Sequence, residues 1–197
     1  MRKLFLFCFV SSLLGFFPPL EAHIQGSLEG KLSYYHPSDQ TFRKIYDDRF
    51  FFGIEGSVQT YQYLFLYTSV SLLPSSGQTI GNHYKTSLLL VPTEVGLKYL
   101  LPIENPYFDL YFGAAAAPFY VHIKNDSPFA SRIRTKWDLG GAFKGGVMLF
   151  PLKSEVFLDV FVNYYLLKTK FSDTDRMIGK TADFSGLSAG TRLGYWF

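Results

Sequence analysis

Residues 24–34 read IQGSLEGKLSY, and an apolar, aromatic or glycine residue occupies every even position of this stretch. Polar or charged residues occupy the odd positions between them. A period of two is the signature of a β-strand, because successive side chains of a strand point to opposite faces of its sheet. The stretch therefore predicts a strand with one apolar face and one polar face.

The same alternation returns seven times along the chain. The apolar faces of these later strands include Ile54, Leu66, Val95, Phe112, Phe143, Val160 and Leu193. Long polar connections are predicted at 36–49, 74–86, 122–136 and 168–183, and short ones around 60–62, 102–106 and 151–154. Long loops on one rim and short turns on the other are typical of transmembrane barrels. The sequence thus predicts an all-β fold, a single eight-stranded antiparallel transmembrane β-barrel with both termini on the short-turn rim.

Composition agrees with this fold and excludes several functions. Aromatic residues make up 19% of the chain, and rings of this kind favour strands and membrane interfaces. A net charge of +3 is too small to predict a nucleic-acid partner. The one cysteine, Cys8, precedes the predicted barrel, so neither disulfides nor cysteine-ligated metals are expected there. We expect no metal and no cofactor.

The N-terminus predicts a cleaved Sec signal peptide over residues 1–22. Arg2 and Lys3 precede an apolar run over 4–17, and prolines at 18 and 19 end it before a cleavage site after Ala22. The alternative is an uncleaved anchor, but this run is short for a helix that must span a membrane with about 20 residues. The barrel would then occupy residues 23–197, in a protein exported to the bacterial outer membrane.

Alternation alone does not say which face points inward. A soluble lipocalin-like barrel places its apolar face inside, whereas a membrane barrel places that face against lipid. The polar face favours the membrane alternative, because small residues and opposite charges would fill the narrow interior of eight strands. We expect a plugged lumen with a charge network of Glu29, Lys31, Glu55, Glu94, Lys98, Asp109, Asp138, Lys144, Asp159 and Arg192.

The last strand carries a more specific signal. Leu193, Tyr195 and Phe197 place apolar side chains at alternate positions up to the terminal phenylalanine. This pattern resembles the C-terminal assembly signal of outer-membrane barrels, and the mature chain resembles OmpA/OmpX/OmpW-type small barrels of the Gram-negative cell envelope. The resemblance implies that the barrel-assembly machinery is a partner during biogenesis, and that outer-membrane lipids and lipopolysaccharide surround the folded protein.

Two segments are candidate surface sites. The first is a basic cluster in the third long connection that could clamp lipopolysaccharide phosphates, or could be a solvated loop. Its members are His122, Lys124, Arg132, Arg134 and Lys136. The second is a short helix capped by Ser38 or Asp39, on which Phe42, Ile45 and Tyr46 would share one side. That side would either plug the barrel mouth or form a docking patch.

Three functions remain open at this point. The leading hypothesis is a barrel without enzymatic activity that has a structural or surface-interaction role. The second is a narrow, porin-like conduit for small apolar molecules, of the OmpW kind. The third is a lipid-modifying enzyme, although the His–Ser motif of the lipid A deacylases is not found, and His36, Ser38 and Asp39 are common loop residues. The ligand on the cell surface is not identified by the sequence.

Overall fold

The computed structural model describes residues 25–46, 49–79, 84–103, 105–126, 133–151, 154–170 and 181–197. The predicted signal peptide and Arg132 lie outside these residues. The described elements are β1 (Gly26–Pro37), α1 (Gln40–Ile45), β2 (Phe50–Tyr61), β3 (Leu64–Gln78), β4 (Lys85–Leu100), β5 (Phe108–Asn125), β6 (Ile133–Leu149), β7 (Val156–Leu166), β8 (Lys168–Lys170), β9 (Thr181–Asp183) and β10 (Gly186–Trp196).

Eight of these strands form a closed antiparallel barrel in the order β1-β10-β7-β6-β5-β4-β3-β2. The fold class predicted from the alternation is therefore confirmed. β10 closes the barrel against β1, with Ser27 opposite Trp196. Beyond this pair, the amides of Gly26 and Phe197 each donate to the other residue's carbonyl oxygen, at 2.9 and 3.0 Å. Closure pairs the backbone groups that an open sheet edge would leave without partners.

The apolar faces of the strands point outward. Leu28, Ile54 and Leu193 are each at least 60% exposed, whereas Glu29 and Arg192 beside them are 1% exposed. A soluble barrel would have the opposite arrangement, with the apolar face inside. Lipid is the environment that this outward apolar belt fits, as the membrane alternative predicts.

We call the end of the barrel that carries α1 the upper end, and the end that carries Gln25 and Phe197 the lower end. Near the upper end the strands are longer than the sequence predicts. β3 continues to Gln78 and β4 begins at Lys85, so much of the predicted connection 74–86 is strand. Likewise β5 and β6 extend into the predicted connection 122–136. In β3 and β4, backbone pairing such as Ser76 with Ser87 continues there without an apolar face, which is why hydrophobic alternation ends before these two strands do.

Two small elements complete the upper end. α1 lies between β1 and β2, and β8 pairs with β9 in a two-stranded hairpin between β7 and β10. Within that hairpin region, burial acts to raise the pKa of Asp183, but hydrogen bonds from Ser185 and the charge of Lys168 hold the pKa below its usual value. No helix among the described residues is long and apolar enough to cross a membrane.

Candidate functional site: a buried ion network beneath an apolar plug

Alternation along six different strands brings eight charged side chains together inside the barrel. All eight are at most 5% exposed. They are Glu29 and Lys31 on β1, Glu55 on β2, Glu94 and Lys98 on β4, Lys144 on β6, Asp159 on β7 and Arg192 on β10. Strand register sets them at similar heights, since Arg192 lies opposite both Lys31 and Asp159, and Glu29 lies opposite Glu55.

Arg192 contacts three of the four carboxylates. Its Nη1 lies 2.6 Å from Asp159 Oδ2 and 3.3 Å from Glu29 Oε2, and its Nη2 lies 3.6 Å from Glu55 Oε2. The guanidinium carbon also lies 3.9 Å from the centre of the Phe161 ring. The planar guanidinium offers five N–H donors in a fixed fork, so one arginine can serve several carboxylates at once.

The three lysines divide the remaining contacts. Lys144 Nζ lies 2.6 Å from Glu55 Oε2, and Lys98 Nζ lies 3.2 Å from Glu29 Oε1. Lys31 Nζ lies 3.5 Å from Glu94 Oε1. Lys31 also donates to the hydroxyl of Tyr165, which in turn donates to Glu94 at 2.7 Å. Each of the four acids therefore has at least one base within 4 Å.

This network contains four acids and four bases, and its net formal charge is zero. Removing a charge from water costs several kcal/mol unless opposite charges and hydrogen bonds replace the lost hydration. Balanced pairing is thus what permits eight ionisable groups to occupy a buried interior. The arrangement favours a packed interior over an ion-conducting one, because every charge in the network already has an oppositely charged neighbour within 4 Å.

Two residues of the predicted charge network lie outside it. Asp109 is half-buried and lines the hollows at the lower end. Asp138 lies near the upper end, where its carboxylate is 3.7 Å from Lys136 Nζ. Both face inward on their strands, as the alternation predicts. Alternation does not give a residue's height along the barrel axis, and these two lie too far toward the ends to meet the central charges.

Above the ion network the interior is apolar, which the sequence reasoning missed. Tyr35, Phe51, Leu73, Leu90 and Phe119 are all 0% exposed and belong to one cluster. The sequence indicates this apolar interior through runs that are apolar at both odd and even positions, such as residues 50–52 and 88–91. An alternating strand has one apolar face, whereas such a run makes both faces apolar over a short length.

α1 covers this cluster from above. Asp39 caps the helix by accepting a hydrogen bond from the Thr41 amide at 2.6 Å. Phe42 and Tyr46 are each 6% exposed, with ring centres 4.8 Å apart, and Ile45 packs against the same cluster. Phe42 also meets Phe184 edge to face at 5.9 Å. The structure thus places Phe42, Ile45 and Tyr46 against the interior of the barrel mouth, in the position of a plug.

The predicted basic cluster is not one site. Strand pairing places His122 opposite Thr135 and Ile123 opposite Arg134, so His122 and Lys124 lie on one face of the sheet while Arg134 and Lys136 lie on the other. The segment is strand and not loop, and in a strand neighbouring residues point to opposite faces, so the four described members do not form a single loop cluster. A role for them in anion binding stays a prediction. The fifth member, Arg132, lies outside the described residues.

The three residues of the predicted assembly signal share the outward face of the closing strand. Leu193 and Phe197 are each 64% exposed, and Tyr195 is 47% exposed. The Tyr195 hydroxyl donates a hydrogen bond to the Glu155 carboxylate at the start of β7. Their role in assembly stays a prediction. Among the described residues, no group of three or more His, Cys, Asp or Glu side chains is placed to hold a metal ion.

No protein-family model matches the chain, and no curated protein matches it. Solved structures of small outer-membrane barrels do. The attachment invasion locus protein Ail of Yersinia pestis, solved in complex with the heparin analogue sucrose octasulfate, has a TM-score of 0.56 and 12% identity over 89% of this chain and 100% of that chain.

Two further barrels give similar values. Neisserial surface protein A has a TM-score of 0.56 and 11% identity over 88% of this chain and 96% of that chain. Outer Membrane Protein W of E. coli has a TM-score of 0.56 and 10% identity over 90% of this chain and 100% of that chain. The suspected resemblance to small outer-membrane barrels is therefore confirmed at the level of the fold.

Proposed function

From this fold, we propose that the protein is a closed, non-conducting barrel of the outer membrane that binds anionic groups at the cell surface through its upper end. Export would remove residues 1–22, and the lower end would face the periplasm. The observation that carries the proposal is the distribution of charge along the barrel axis, which separates a neutral interior from a basic upper end.

Among the described residues, the upper end has nine lysines and arginines and four acidic residues. The basic residues are Arg43, Lys44, Arg49, Lys85, Lys124, Arg134, Lys136, Lys168 and Lys170, and the acidic ones are Asp39, Asp126, Asp138 and Asp183. The net charge of these described residues is +5. Such an excess attracts polyanions and raises the rate at which they meet the surface.

The barrel interior supports a closed state. A solute moving along the axis would have to pass α1, the apolar cluster below it and the central ion network. The side chains that line this path are almost fully buried, with Leu73, Leu90 and Phe119 at 0% and Lys98 at 0%. Opening such a path would break several buried ion pairs, each at a cost of several kcal/mol.

Phosphate and sulfate groups are the anions that this surface fits. Lys44, Lys85 and Lys124 are exposed and extend from the helix and from two neighbouring strands. Ammonium groups donate strong hydrogen bonds to phosphate and sulfate oxygens. The barrel of Ail, which shares this fold, was solved with a sulfated sugar. We infer that lipopolysaccharide phosphates or sulfated surface glycans are the ligands here.

The test is polyanion binding by purified barrel in phosphatidylcholine nanodiscs. The probe is sucrose octasulfate, measured by calorimetry at two salt concentrations. We expect binding that weakens with salt, and that falls at least tenfold in the triple variant Lys44→Gln, Lys85→Gln, Lys124→Gln. The matched control changes the same three residues to arginine, keeps the charge and retains binding. Equal binding by the glutamine and arginine variants would contradict the proposal.

One observation favours the conduit as a second candidate. The apolar cluster under α1 would become an apolar cavity if the helix moved away, and such a cavity suits small apolar molecules. Planar-bilayer conductance, and uptake of an apolar dye, separate the two candidates. The closed barrel gives no steady conductance, whereas a conduit gives one that increases when residues 40–45 are deleted.

The enzyme hypothesis receives less support from the loop geometry. Asp39 is engaged as the helix cap, and His36 Nε2 lies 2.9 Å from the Arg43 guanidinium, which can only donate to it. A histidine in that contact accepts at the nitrogen that a general base would use. Mass analysis of lipid A from cells with and without the gene tests this function, and we expect no change.

A further inference from the structure

The lower end of the barrel is unlike the upper end, because it is open and acidic. A hollow of about 400 Å³ lies there, with Phe65, Phe150 and Trp196 among its walls and Asp109 and Glu155 on its lining. A second hollow of about 290 Å³ shares Phe65 and Asp109 with the first. The two form one vestibule, with Asp109 between its halves.

Aromatic rings make up much of the wall. The Phe65 and Trp196 rings meet edge to face with centres 5.4 Å apart, and the fully buried Phe157, which does not line the hollows, lies 5.8 Å from Trp196. Phe150 continues the series at 5.6 Å from Phe157. Faces of aromatic rings attract cations, and the attraction grows where water is partly excluded.

Among the described residues, the charged groups of the vestibule are all acidic. Asp109 and Glu155 line it, and no lysine or arginine is among the described residues of either hollow. The nearest interior bases belong to the central network, where Lys98 is 0% exposed and occupied by Glu29 and Glu55. Asp109 forms no ion pair with any described base, so its carboxylate is available to a ligand.

Trp196 belongs to this wall through its ring. Its Nε1–H is buried away from the hollow and has no hydrogen-bond acceptor among the described residues, so it is not part of the vestibule lining. The vestibule therefore combines aromatic faces with a carboxylate that has no basic partner among the described residues.

We propose that the lower vestibule is a binding site for an organic cation, an ammonium or guanidinium group carried on an apolar body. The cation would pair with Asp109, and its apolar body would lie against Phe65 and Trp196. Free amines and the lysine side chain of another protein share this chemistry, and the choice of probes separates them.

The experiment uses tryptophan fluorescence of the folded barrel in detergent. The chain has two tryptophans, and Trp137→Phe removes the one that is 65% exposed on the outer wall. Trp196 then reports from the vestibule. The probes are phenethylammonium, its neutral counterpart 2-phenylethanol, and acetyl-Gly-Lys-Gly-amide, all at constant ionic strength.

We expect a saturable change with phenethylammonium and binding of 2-phenylethanol at least tenfold weaker. Asp109→Asn should weaken phenethylammonium binding at least tenfold. Asp138→Asn is the matched control at the upper end and should leave it unchanged. Binding of the lysine peptide would point to a protein partner, and binding of the free amine alone to a small molecule.

Three results would overturn the proposal. The first is no saturable response to phenethylammonium and none to the lysine peptide. The second is equal responses to phenethylammonium and 2-phenylethanol, and the third is unchanged phenethylammonium binding by a folded Asp109→Asn barrel. Heat-modifiable migration on gels establishes that each variant is folded before binding is measured. The site is separate from the basic upper end, so its failure would leave the proposed polyanion binding intact.

Discussion

Arg192→Met is the substitution that most severely disturbs the ion network. It removes the one side chain that lies within 3.6 Å of Asp159, Glu29 and Glu55. Methionine fills part of the space with an unbranched apolar chain and leaves the interior with four acids against three lysines. Phe161 and Tyr111 next to it cannot supply the missing positive charge.

The expected cost follows from that imbalance. Removing one partner of a buried ion pair destabilises a protein by about 3–5 kcal/mol, because the other charge is left without compensation. Asp159 loses the shortest of the arginine's contacts, at 2.6 Å. Adding Asp159→Asn restores three acids against three bases, so we expect the double variant to regain roughly 1–2 kcal/mol relative to the single variant. Arg192→Lys keeps the charge but loses the fork, and should lie between wild type and Arg192→Met.

Urea unfolding in phosphatidylcholine vesicles, followed by tryptophan fluorescence and by heat-modifiable migration, measures these differences. The order of stability we expect is wild type, Arg192→Lys, the double variant, then Arg192→Met. A loss below about 1 kcal/mol for Arg192→Met would mean that water or ions compensate the carboxylates, contrary to their dependence on Arg192. A double variant as unstable as the single one would equally refute the charge-balance argument.

Two further substitutions test packing and assembly. A Cβ at inward Gly194 would lie 2.3 Å from the Phe157 ring, whereas at outward Gly30 the nearest atom is 4.0 Å away. Gly194→Ala should therefore cost about 1–3 kcal/mol in the same unfolding assay, and Gly30→Ala should not destabilise the barrel. Equal effects of the two substitutions would mean that the interior has spare room. Deletion of Phe197 with Tyr195→Ala should sharply lower the heat-modifiable form in cells while refolding in detergent survives, because the deletion removes only the last backbone pair of the closing strand, Gly26 with Phe197, and keeps the pairs from Ser27–Trp196 onward. Normal cellular levels of this variant would argue against an assembly signal.

The barrel could be predicted from sequence because its central strands obey one rule. Positions such as Leu28 and Glu29, or Leu193 and Arg192, alternate between lipid and interior, and the structure exposes and buries them accordingly. A period of two fixes the face of each residue regardless of its partner strand. The same rule gathered eight of the ten predicted interior charges.

The parts that sequence did not predict depend on height along the barrel and on where pairing stops. Asp109 and Asp138 share the inward face but lie near opposite ends, and only strand register gives that. The end of β3 through Gln78 is polar, so backbone hydrogen bonds extend that strand where hydrophobic alternation has ended. The predicted loop cluster of basic residues is divided between two faces because its described members lie on strands, where neighbouring residues point to opposite faces.

The apolar interior beneath α1 corresponds to continuous apolar runs in the sequence. Phe51 and Leu90 lie within runs in which every residue is apolar. Alternation explains why the outward residues of these runs are apolar, but it does not explain why the inward residues are apolar as well. In the structure the second face packs against Phe42 and its neighbours. A continuous apolar run inside an alternating strand therefore marks where a barrel interior changes from polar to apolar.

Lipid contact is the central claim, and quenching by brominated phosphatidylcholine tests it most directly. With both native tryptophans changed to phenylalanine, a single tryptophan is placed at Val160, which is 46% exposed on the outer wall, or at Phe161, which is 1% exposed beside it. Adjacent residues of one strand at mid-height then report on opposite faces. We predict strong quenching by mid-chain bromines at position 160 and weak quenching at position 161. Stronger quenching at 161 than at 160 would contradict the account, because the apolar face would then line the interior.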